Sequence, residues 1–220
     1  GMVTPPQNKV GFGIKLSGFS FLQAGLTYTG HSTPQATHFK NVDKGVHCEV
    51  SFADIQDCKM DEVGVGVWVE GASERTINMN NNDFDNIELY GVRMERNGLS
   101  YVDISDNEIE VDDPHDGGLA AAISILDRDN QHHIAEISGN DIDLSLAEFG
   151  ISLSSGRDYK IYNNEIDFLN IEDIGTAGIA LINSDYNFLY GNDLNGHTTN
   201  ETSTQTGIHS EGSDGNVYCL

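Results

Sequence analysis

Apolar and polar side chains alternate with a period of two along most of this chain, in short runs separated by Gly, Asn, Asp and Ser, and helical spacing is almost absent. Two kinds of run recur. The first is a small residue, a branched apolar one, any residue and another apolar one: Gly66-Val67-Trp68-Val69, Gly91-Val92-Arg93-Met94, Ala122-Ile123-Ser124-Ile125, Gly150-Ile151-Ser152-Leu153 and Gly178-Ile179-Ala180-Leu181. Weaker copies stand at Gly45-Val46-His47-Cys48 and Gly207-Ile208-His209-Ser210. The second is apolar-x-x-Asn-acidic-apolar, which places Asn82, Asn107, Asn140, Asn164 and Asn192 at steps of 25, 33, 24 and 28 residues. Each Gly-led run precedes its Asn by a near-constant offset. The chain is therefore a repeat of one unit of short strands, each burying one face.

Strands this short with turns this frequent exclude a doubly wound α/β fold, and a sandwich or propeller needs hairpins. Repeats of this length fit one turn of a right-handed parallel β-helix, and residues 1–220 are read as one all-β domain of about seven coils. An inward Asn at the same corner of every coil can bond to the Asn and backbone above and below it, pairing polar groups that a tight bend buries. The Asn series is thus structural. Cys58, standing where the first clear coil should carry its Asn, is expected to be a buried thiol. The first forty or so residues are less regular, with a strand and corner from Ile14 to Phe21 and a loop over residues 30–37. No cap is evident at either end, and an uncapped solenoid exposes strand edges. A piece of a longer protein is expected, or ends covered by flanking domains or by end-to-end association.

These repeats resemble the right-handed parallel β-helix superfamily of pectate lyases, polygalacturonases, alginate epimerases and phage tailspikes, over roughly residues 40–220. The resemblance implies the fold and an asparagine ladder. For function it is broad, because one fold hosts many unrelated sites.

Eleven Lys and Arg stand against 35 Asp and Glu, a formal charge of −24 spread along the chain. That balance argues against nucleic acid and anionic membrane surfaces as partners and makes calcium the natural cofactor. A solubilising surface is the plainer explanation. No run is long and apolar enough for membrane insertion and no signal peptide is visible, so a secreted or cell-surface protein is expected with its signal outside this sequence. Cys48, Cys58 and Cys219 cannot all pair and show no CxxC spacing; buried free thiols are expected rather than a disulfide framework or a zinc site.

If the Gly-led runs form one sheet, the residues between their apolar positions stack outward about 4.8 Å apart. One file is His47, Trp68, Arg93, Ser124, Ser152, Ala180 and His209; its neighbour is Glu49, Glu70, Glu95, Leu126, Ser154, Ile182 and Glu211. Trp68 beside Arg93 has the makings of a sugar platform. Glu70 and Glu95, on adjacent coils, could be a carboxylate pair for glycoside hydrolysis or two ligands of one calcium. A solvated acidic stripe with Arg93 as its counter-ion is the structural alternative.

The stretch Asp112-Asp113-Pro114-His115-Asp116-Gly117-Gly118 has the composition of a turn and falls on the longest step between Gly-led runs, 31 residues. It leads into the outward files, where long loops commonly line a binding face. Asp113-Pro114-His115-Asp116 resembles part of the Tyr-Gly-apolar-Asp-Pro-His-acidic motif of mannuronan C5-epimerases, which implies Asp113 and His115 at a catalytic centre. Glu110-Val111-Asp112 stand where that motif has Tyr-Gly-apolar, so the tyrosine would have to be Tyr90 of the preceding coil. Its parity with inward Val92 turns Tyr90 toward the core. Asp112 and Asp116 are candidate calcium ligands, and Arg128 a further candidate to hold a saccharide. Function is read as action on an acidic polysaccharide, with lyase or C5-epimerase chemistry at Tyr90, Arg93, Asp113 and His115 and binding by Trp68, Glu70, Glu95 and Arg128. The alternative is a non-catalytic carbohydrate-binding, adhesive or phage-tail-like β-helix.

Overall fold

A computed structural model describes residues 11–17, 21–24, 37–49, 52–72, 76–96, 101–112, 120–127, 135–145, 147–168, 176–196 and 205–219. Their strands stack in parallel into three sheets of eight, eight and seven strands, each strand pairing with its counterparts one coil before and one coil after. The chain visits the first, second and third sheet in turn and then returns to the first, one coil on. This is the right-handed parallel β-helix that the repeats predict. The first sheet contains Phe12–Ser17, Lys44–Glu49, Val65–Ala72, Tyr90–Arg96, Ala121–Asp127, Phe149–Ser154, Thr176–Ile182 and Gln205–Glu211. Inward side chains of all three sheets meet in one apolar cluster, in which Val67, Met94, Ile104, Ile137, Phe84 and Ile166 are almost fully buried.

Regular stacking starts earlier than the repeats show. Phe12–Ser17 pairs with Lys44–Glu49, Phe21–Ala24 with Phe52–Gln56, and Thr37–Lys40 with Cys58–Asp61. Residues expected to be irregular thus supply a coil. It lacks the Asn marker because Thr37 occupies its ladder position, in register with Cys58 of the next coil.

The corner between the second and third sheets explains the Asn motif residue by residue. Asp57, Asn81, Asp106, Gly139, Asn163 and Gly191, each directly before a ladder position, have positive φ between 51° and 65°. Asn, Asp and Gly tolerate that conformation best. The next residue then points inward. Asn82, Asn107, Asn140 and Asn164 each donate from Nδ2 to Oδ1 of the following ladder Asn at 2.8–2.9 Å. Their backbone N–H groups donate to the same oxygens at 3.0–3.1 Å. Nδ2 also donates back to the carbonyls of Ile55, Met79, Ile104 and Ile137 at 2.9–3.1 Å. Cys58 enters the ladder through its backbone, which donates to Asn82 Oδ1 at 3.0 Å, while its thiol donates to the Gln56 carbonyl.

A second, shorter ladder stands at the corner between the first and second sheets. Asn187 Nδ2 donates to Asn216 Oδ1 at 3.0 Å, and the Ser184 amide donates to Ser213 Oγ at 2.8 Å. The small residue that leads each first-sheet run has a steric cause. A Cβ on Gly66 would lie 2.6 Å from the Gly91 carbonyl oxygen of the next coil and 2.5 Å from the Phe84 ring. Cys48 and Cys58 are buried free thiols as expected, but Cys219 is exposed, on the last described strand of the second sheet, where no following coil among the described residues covers it.

The outer face of the third sheet concentrates the negative charge. In register down the stack run Asp83, Glu108, Asp141, Glu165 and Asp193, beside a second file holding Glu110, Asp143 and Asp167. Like charges directly across a ladder destabilise it. Burial, reinforced by neighbouring carboxylates, pushes the Glu110 and Asp143 carboxyls up, and the charges of Asp141 and Asp167 do the same to Glu165. At the N-terminal end Lys59 offsets the repulsion, donating to Asp83 at 2.7 Å.

Two outcomes follow from this geometry. Asn107→Ala removes the Nδ2 that donates to Asn140 Oδ1 and to the Met79 carbonyl, leaves only the backbone N–H on Asn140 Oδ1, and takes from Asn82 the acceptor of its side chain and backbone, so a loss of about 2–4 kcal/mol is expected in urea unfolding; a loss under about 0.5 kcal/mol would show that the ladder is ornamental. The pH dependence has a definite sign. A carboxyl whose pKa is higher folded than unfolded adds no cost below the unfolded value and its full cost above the folded one. Acidifying from neutral therefore stabilises through Glu110, Asp143 and Glu165. Asp61 and Glu136, held down by hydrogen bonds from Lys40 and Lys160, give up their stabilisation only below the ordinary carboxylate range. The melting temperature at low salt should peak near about pH 5, and a steady fall between neutral pH and that point contradicts the electrostatic account.

Candidate functional site

The Gly-led strands form one sheet, and its register builds both outward files coil by coil. His47, Trp68, Arg93, Ser124, Ser152, Ala180 and His209 are successive neighbours in one, and Glu49, Glu70, Glu95, Leu126, Ser154, Ile182 and Glu211 in the other. Lys15 extends the first file ahead of His47. Stacking the two files puts aromatic, cationic and anionic groups of the first four coils within contact of one another.

At their centre is Trp68. The Lys44 ammonium sits 4.1 Å from its ring centroid, the Arg93 guanidinium 5.2 Å, and the His47 ring is tilted against it at 5.5 Å. Cations over an indole are held by the ring quadrupole. A sugar ring that reaches Trp68 has to displace one of them. His47, named for an outward file, is only 5% exposed, because Phe12 stacks on it at 5.2 Å and Trp68 leans over it. Its Nε2 lies 3.2 Å from Glu70 Oε2. Glu49 is paired with Lys15 at 2.7 Å, and that hydrogen bond holds its carboxyl below the usual carboxylate range.

Glu70 and Glu95 are neighbours in register, yet they face different partners. Glu70 turns to His47, and Glu95 accepts from Arg93 at 3.2 Å. Tyr90 departs from its expected orientation. It does not enter the core: Arg93 lies 4.9 Å over its ring, and it lines an outer groove. The parity argument fails because Gly91 and Val92 both face inward, so Tyr90, directly before them, falls on the outer side.

The groove, about 200 Å³, continues from Tyr90 and Arg93 along the files to Ser124, Leu126, Phe149 and Ser152. Asp113, His115, Asp116 and Arg128 lie outside the described residues. Asp112 directly follows the third-sheet strand Glu108–Val111, its amide donating to the Ile87 carbonyl at 2.9 Å. Sequence inspection missed Phe12, Lys15 and Lys44 as members of this face. Phe12 and Lys15 sit in the coil that carries no Asn marker; Lys44 stands one place ahead of the weak copy at Gly45, where a small residue flags a first-sheet strand.

Among the described residues no helix is long and apolar enough to cross a membrane. Comparison with curated proteins and with solved structures finds no match. The family model described as "Periplasmic copper-binding protein (NosD)" matches residues 19–198, well over half of the chain and all but the ends of the β-helix. On that coverage the chain belongs to the NosD family.

Proposed function

We propose that this protein works outside the cytoplasm and binds an acidic saccharide along the first-sheet face. One observation carries this: Tyr90 and Arg93 belong both to the aromatic and cationic cluster around Trp68 and to the wall of the adjoining groove. Of the 11 basic residues of a strongly acidic chain, Lys44 and Arg93 lie over Trp68, and Lys15 lies over the adjoining Phe12 ring. An arginine beside a groove of serines and apolar side chains suits a carboxylated sugar, whose charge it can meet while the ring packs on Leu126 and Phe149. The family description carries a periplasmic address, which accords with a saccharide of the cell envelope.

The same description names copper. Copper(I) takes soft sulfur donors. Met60, Met79 and Met94 are fully buried in the core, and burial pushes the Cys48 and Cys58 thiols up to about 12 and about 11, so these thiols are held as packing groups rather than thiolate ligands. Among the described residues, the accessible donors of the first-sheet face are nitrogen and oxygen only, a set for divalent ions.

Lyase or epimerase chemistry would add a base and an acid from Asp113 and His115 to Tyr90 and Arg93, with calcium bridging anions of protein and polymer. Trp68 is the only tryptophan, so its emission reports this face directly. Titration with alginate and pectate oligosaccharides, with and without calcium, should change that emission saturably, and Arg93→Ala should weaken binding about tenfold. Growth of absorbance near 235 nm or epimerised residues in proton NMR would add catalysis; silence in both leaves binding alone. Unchanged emission together with no retention on either polymer overturns the proposal.

A further inference from the structure

We propose that His47, Glu49 and Glu70 form a site for a borderline divalent transition metal, Cu²⁺ or Zn²⁺, with one imidazole nitrogen and two carboxylate oxygens as ligands and a coordination position open to solvent. The proposal does not depend on saccharide binding. Its starting point is convergence across two coils: His47 and Glu49 point out of the strand Lys44–Glu49, and Glu70 is the register neighbour of Glu49 in the next strand. One ligand atom from each lies within 4.8 Å of the other two, the only such group of His, Cys, Asp and Glu among the described residues. His47 Nε2 is 3.2 Å from Glu70 Oε2 and 3.9 Å from Glu49 Oε1. Ligands around a tetrahedral ion at normal bond lengths sit about 3.4 Å apart. Two of the separations already approach that value.

The imidazole is held in place with Nε2 toward the carboxylates. Phe12 and Trp68 clamp its ring, so packing alone fixes where Nε2 points. Nδ1 is buried and has no hydrogen-bond partner among the described residues. A ring that served only to fill space would do so at lower cost with no polar atoms. What the buried histidine supplies, and an apolar ring could not, is an Nε2 directed at the two carboxylates: without metal it donates its proton to Glu70, and on metal binding that proton leaves and the lone pair becomes a ligand. Those carboxylates are mobile enough to close the remaining distance, with side chains 32% and 38% exposed. Lys15, now paired with Glu49, would be displaced or swing outward, exchanging one cation for another of higher charge. One nitrogen and two oxygens select Cu²⁺ or Zn²⁺ over Cu⁺, which prefers sulfur, and over Ca²⁺, which prefers six or more oxygens. With three protein ligands the fourth position faces solvent, the arrangement of sites that take up an exchangeable ligand.

The test uses the chelator-stripped chain with Cu²⁺ or Zn²⁺ as the only addition. Calorimetry should give one tight equivalent of Cu²⁺, and electron paramagnetic resonance of that equivalent should show coupling to a single imidazole nitrogen. The chain has seven histidines besides this one, so variants assign the signal. His47→Gln should abolish the nitrogen coupling of the first equivalent, and Glu70→Gln should keep the coupling while weakening affinity about tenfold or more. Circular dichroism checks the fold of each; should His47→Gln not fold, Glu70→Gln and Glu49→Gln, at part-exposed positions, carry the test. A first equivalent with oxygen ligands alone, or unchanged affinity and spectrum in the folded variants, overturns the proposal.

Discussion

Each coil of this protein bends tightly between its second and third sheets, and each bend buries backbone groups that only the neighbouring coil can pair. The asparagine ladder meets that constraint. Oδ1 of Asn107, Asn140, Asn164 and Asn192 accepts from both the side chain and the backbone of the Asn one coil before, and Nδ2 of each ladder Asn reaches a carbonyl of the preceding coil. A one-residue slip would break these bonds and turn every following side chain to the wrong face. Register is therefore fixed at the corner, and the two outward files of the first sheet inherit it.

Two of the three faces use that register differently. On the third sheet, stacking acids on acids raises carboxyl pKa values and costs stability, while on the N-terminal half of the first sheet acids, bases and rings alternate, and each charge finds an opposite or aromatic neighbour. The strain of a highly charged solenoid is thus placed away from the face where binding is proposed.

Much of this was legible in the sequence. The Gly-led runs and the Asn series are periodic and local, so they reveal strands, corners and files without knowledge of distant contacts. Tyr90 was placed on the wrong side because strict alternation ignores the two inward residues, Gly91 and Val92, at the corner. The second ladder was overlooked although Ser184-Asp185-Tyr186-Asn187 and Ser213-Asp214-Gly215-Asn216 repeat Ser-Asp-x-Asn. The first coil was missed because Thr37 stands where its Asn marker would be. The convergence of His47 with Glu49 and Glu70 depends on side-chain directions across two coils. The files name those three residues, but only the packing of Phe12 and Trp68 shows where the imidazole points.

Hydrogen exchange at the backbone amides of Asn82, Asn107, Asn140 and Asn164 tests most directly whether the ladder sets the register. Each of these N–H groups is bonded to the next ladder side chain. They should exchange only through global unfolding, with protection equal to the free energy measured by denaturant. Exchange as fast as that of exposed turn amides would contradict the account, because the corner could then open while the sheets, and the files they carry, stayed in place.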